Sequence, residues 1–70
     1  MRVIAATTDP VRLSFLLALL ADAGIGAVVL DSHIAAAEGG IGIFPRRIAV
    51  SAEDADAARR LLQAAGEETV

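Results

Sequence analysis

Seventy residues carrying a net charge of −3, with six Arg, no Lys and two Phe as the sole aromatic residues, exclude a generic nucleic-acid binder. Such a binder needs a basic stripe and stacking rings. The chain has no Cys, which excludes disulfides and thiolate metal sites and fits a reducing compartment.

A chain of this length buries only about 60% of its unfolded surface. It is nonetheless 56% hydrophobic, with a mean hydropathy of +0.62. Self-association, most simply as a homodimer, is the expected use of that surplus. The longest unbroken apolar run, residues 15–21, falls well short of the roughly 20 residues of a membrane span. Thr7, Thr8, Asp9 and Pro10 interrupt any leader-like pattern, so no membrane association and a cytoplasmic location are expected.

Residues 2–7 (RVIAAT) read as a strand covered on both faces. Asp9-Pro10 marks a helix start, because Asp is a good N-cap and Pro suits the first helical position. The helix is expected over residues 10–23, with Gly24 stopping it in the left-handed conformation. At 100° per residue, Leu13, Leu16, Leu17, Leu20 and Ala23 share the stripe that faces the sheet. Val11, Phe15 and Leu19 fall outside it. Phe15 either lies under an apolar connector or is an interface residue.

Residues 27–31 (AVVLD) and 47–50 (RIAV) read as two further strands with no polar alternation. Ser51 then opens a second helix, and Ser51-Ala52-Glu53-Asp54 approximates a capping box. Ala55, Ala58, Leu61, Leu62 and Ala65 form its inner face. Asp56 with Arg59 and Arg60 gives weak surface pairs. Gly66 ends the helix. Residues 67–70 form a short tail, and whether they add a strand is open.

The order β-α-β-β-α predicts an α+β, ferredoxin-like (split βαβ) domain over residues 1–66, with an antiparallel sheet. Both helices cover one face of that sheet. The other face stays open. Val3 and Ala5 oppose Ile4 and Ala6, and Val28 and Leu30 oppose Ala27 and Val29, so either set leaves an apolar outer surface. Dimerisation or stacking through that face is the simplest expectation.

The connector, residues 31–47 (DSHIAAAEGGIGIFPRR), holds the only His and three of the six Gly. It is too apolar for an ordinary solvated loop and too rich in Gly for a helix. Ile41, Ile43 and Phe44 mark it as a contact segment. Gly39, Gly40 and Gly42 offer a backbone nest for an anion, with Arg46 or Arg47 supplying charge. Tight turning of a hairpin connection explains the same glycines. Neither a Walker motif nor a dinucleotide fingerprint is present.

Arg46 and Arg47 are adjacent in a strand, so they point to opposite faces and at most one serves a given site. The other is expected to pair with Asp31 or Glu38. A sheet-edge anion pocket would combine Arg47 with Arg2. His33, near Asp31 and Glu38, matches no standard metal-ligand spacing, and a His bonded to backbone is the expected reading. No metal and no cofactor are expected. An enzyme is disfavoured, because there is no nucleophile–base pair, cofactor motif or metal constellation.

The segments TDPVRLSFLLALLADAGI, VLDSHIAAAEGGIGIFPRRIAV and EDADAARRLL resemble the short bacterial domains known as putative prokaryotic signal-transducing proteins. This domain-of-unknown-function family is grouped, with a ferredoxin-like fold, near the nitrogen-regulatory PII (GlnB-like) proteins. The resemblance runs from Arg2 to Gly66. Its most specific parts are Asp9-Pro10, Leu30-Asp31, and Glu38-Gly39 leading to Pro45-Arg46-Arg47. It implies a fold and a signalling role, with no ligand or reaction. PII proteins are longer and bind ATP through basic and Gly residues; this chain lacks Lys and shows no such site.

Two functional expectations follow. The first is a non-catalytic regulatory or protein-interaction module. It would act through the connector, the open sheet face, and the apolar residues Phe15, Leu19, Ile41, Ile43 and Phe44. The alternative is a PII-like sensor that binds a small anionic metabolite at Gly39–Gly42 with Arg46 or Arg47.

Overall fold

A computed structural model of the chain describes residues 1–30 and 45–70. The elements are β1 (Arg2–Thr7), α1 (Pro10–Asp22), β2 (Ala27–Leu30), β3 (Arg46–Val50) and α2 (Ala55–Ala64). The sheet order is β1-β3-β2, and β3 is antiparallel to both neighbours. β1 and β2 are therefore parallel to each other and split by β3, as the ferredoxin-like plan requires. One hydrophobic cluster joins Ile4, Ala5, Ile48 and Val50 of the sheet to Leu13, Leu16 and Leu20 of α1 and to Ala55, Ala58 and Leu62 of α2. Both helices thus cover the same sheet face.

The ends of α1 follow from local chemistry. A carboxylate oxygen of Asp9 accepts a hydrogen bond from the Val11 N–H at 2.9 Å, and Pro10 occupies the first turn. At the other end Gly24 takes φ +76°. The Ile25 N–H donates to Leu20 O at 2.9 Å and the Gly24 N–H to Ala21 O at 3.0 Å, which is a Schellman closure. Gly66, at φ +82°, ends α2 in the same way, with Glu67 N–H donating to Leu62 O at 3.0 Å.

Four details differ from the expected pattern. First, Ile4 and Ala5 are consecutive yet both buried, because the register shifts between Val3 and Ala5. This bulge leaves Ile4 unpaired with β3 and turns both side chains toward the helices, so strict alternation fails in β1. Second, Ala23 and Ala65 are exposed because each lies past the last helical turn, at the C-cap. Third, Leu19 packs against the core at its margin. Fourth, α2 starts at Ala55, four residues after Ser51. The Ser51 hydroxyl donates to the Asp54 carboxylate at 3.1 Å and the Asp54 N–H donates to Ser51 O at 3.0 Å, so residues 51–54 close a turn ahead of the helix and its N-cap is Asp54.

Residues 67–70 are pinned to three elements. Arg12 of α1 pairs with Glu67 at 2.8 Å, and the Glu67 side chain is only 13% exposed. On α2, the Gln63 amide donates to Thr69 Oγ1 at 3.0 Å and Arg59 Nε donates to Val70 O at 3.0 Å. The Val70 N–H donates to Ile4 O at 2.8 Å, on the bulged residue of β1. The tail is not a strand, but it meets the edge of β1 where a second split β-α-β unit would return its fourth strand.

Candidate interaction surface

Side chains alternate along β3, so Ile48 and Val50 face the helices while Arg47 and Ala49 face outward. The register extends this assignment to the neighbouring strands. Val3 and Val28 flank Ala49, and Ala6 and Leu30 flank Arg47. The outer face is therefore two short rows, Val3–Ala49–Val28 and Ala6–Arg47–Leu30, roughly 7 Å apart along the strands. Ala49 is buried between its larger neighbours. Val28 is 45% exposed, and Ala6 and Arg47 are also exposed. Val3 and Leu30 are half-buried.

These residues form an aliphatic surface carrying a single charge, Arg47. No helix among the described residues lies over it, because α1 and α2 share the opposite face. The alternation sends Arg46 to the other side of β3, beside Thr7. Arg2 pairs with Val50 and Arg47 with Ala6, which places them about 10 Å apart along the sheet and on opposite faces. The structure does not bring these two guanidinium groups together.

The remaining site candidates are scattered. Phe15 is 47% exposed and Val11 76% exposed, but both belong to α1, in the helical layer. Leu19 is partly buried against the core. Gly39, Gly40, Ile41, Gly42, Ile43 and Phe44 lie outside the described residues, as do Asp31, His33 and Glu38. Among the described residues, no group of three or more His, Asp or Glu is placed to hold a metal ion. None of the described helices is long and apolar enough to cross a membrane.

Val3, Ala6, Val28 and Leu30 were not singled out as contact residues from the sequence. The signal was present in the four-residue apolar strand AVVL, but only its register against Ala49 and Arg47 decides which side is wet.

No curated protein matches the chain. A family model does match, over residues 1–66, which takes in every strand and helix described above. The chain therefore belongs to the family described as "Putative prokaryotic signal transducing protein".

Proposed function

We propose that this domain is a non-catalytic interaction module of a signalling system, and that it contacts its partner through the open sheet face. One observation carries the reading: the outer row Val3–Ala49–Val28 is wholly aliphatic, with Val28 45% exposed. A sheet normally buries such a face against another layer. Family membership supports a signalling context. The connector sequence, with Ile41, Ile43 and Phe44, supplies additional apolar contact residues in this reading.

The test is capture of a partner by the wild-type domain and by a Val28→Asp variant, with helix content checked by circular dichroism. The reading predicts retained helix content and lost capture. Capture that persists with Asp at position 28 would remove the sheet face from the account.

A further inference from the structure

We infer that the occupant of the open face is an amphipathic helix of another protein with an Asp or Glu in its apolar stripe, selected by Arg47. This rests on the reading of that face as the contact surface. Arg47 lies on the central strand, bracketed by Ala6 and Leu30 and next to the row Val3–Ala49–Val28. It is exposed, and among the described residues its side chain has no ion pair or hydrogen bond. By contrast, Arg12 and Arg59 are each committed to a partner within the fold.

A partner that covers this face without an anion leaves a guanidinium unpaired in an apolar contact, which is costly. A partner with a carboxylate forms a charge-assisted, two-pronged hydrogen bond there instead. A second copy stacked face to face supplies none from the described residues of this face. Among the described residues it presents the same five aliphatic side chains and another Arg47, so two like charges would share the contact.

Shape points the same way. The outer strand axes of a three-stranded sheet are about 10 Å apart, close to the 10–12 Å diameter of a single helix.

The probe is a displayed library of amphipathic helical peptides, randomised across the apolar stripe and selected on the wild-type domain. The expected winners carry Asp or Glu within that stripe. A selected peptide should bind Arg47→Glu and Arg47→Ala variants at least about tenfold more weakly. Exchanging the peptide's acid for Arg should restore binding to Arg47→Glu.

Winners with no acidic preference, affinity unchanged by either Arg47 substitution, or no binder at all would overturn the inference. Binding lost with Val28→Asp but indifferent to Arg47 would retain the face and discard the charge selection. Binding indifferent to both would discard both. A concentration-dependent dimer of the wild type that Val28→Asp abolishes would assign the face to a second copy and overturn the inference.

Discussion

Replacing Gly66 with Ala puts a Cβ on a residue at φ +82°, with no heavy atom beyond its own chain neighbours within 4 Å of the new carbon. Nothing clashes, so the cost is conformational alone. An L-residue with a side chain pays about 1–2 kcal/mol to sit in the left-handed region. Part of this is offset because Ala narrows the unfolded ensemble by about 0.4–1 kcal/mol relative to Gly.

The net loss is about 1 kcal/mol, against a total stability of roughly 4–10 kcal/mol for a domain of this size. The midpoint of thermal unfolding should fall by about 4–8 °C. Gly24→Ala, at φ +76° with equally open space, should behave alike. Gly26 also has open space, and its φ lies outside the left-handed region, so the same substitution there should stabilise by about 0.4–1 kcal/mol. Thermal unfolding of the three variants followed by circular dichroism reads out the signs directly. Equal midpoints for Gly66→Ala and Gly26→Ala would refute the assignment of Gly66 as a left-handed helix stop.

Two other changes probe different parts of the fold. Leu20 is fully buried between α1 and the sheet, so Leu20→Ala should cost about 2–5 kcal/mol and leave a domain that unfolds at low denaturant. Glu67→Gln removes the ion pair with Arg12, whose side chain is 53% exposed. Its cost should stay below about 1 kcal/mol in chemical denaturation and shrink in high salt, and a salt-independent loss would contradict an electrostatic role.

The fold was legible where local chemistry punctuates the chain. Asp9-Pro10 starts α1, Gly24 and Gly66 stop the two helices, and the runs expected as strands at residues 2–7, 27–31 and 47–50 correspond to Arg2–Thr7, Ala27–Leu30 and Arg46–Val50. What escaped the sequence depends on non-local geometry. The bulge at Ile4 exists only through the register against β3, and it decides that Ala5 turns inward while Ala6 turns out.

Apolar residues occupy both sides of β2, so periodicity could not say whether Val28 or Val29 is wet. The separation of Arg2 from Arg47 likewise follows from antiparallel pairing. Ser51 misled for a local reason, since the same Ser-x-x-Asp spacing that suggests a capping box here closes a turn that precedes the helix. The tail carries no pattern of its own. Its position comes from Arg12, Arg59, Gln63 and Ile4, which are remote in sequence.

The proposed contact surface was half legible. An open apolar sheet face follows from the element order, but the residues that form it follow from register. Of the side chains expected to contact a partner, Leu19 packs at the core margin and Phe15 sits in the helical layer, away from that face.

Because the chain has no Cys, a single introduced thiol can carry a photo-crosslinker at one chosen position. The most direct test of the open face compares Val28→Cys with Val11→Cys, which is 76% exposed on the helical layer. Each would be labelled, mixed with extract of the source cells and irradiated. The account predicts a discrete crosslinked protein from position 28 and none from position 11. A discrete product from position 11 with none from position 28 would contradict it and move the contact surface to the helices.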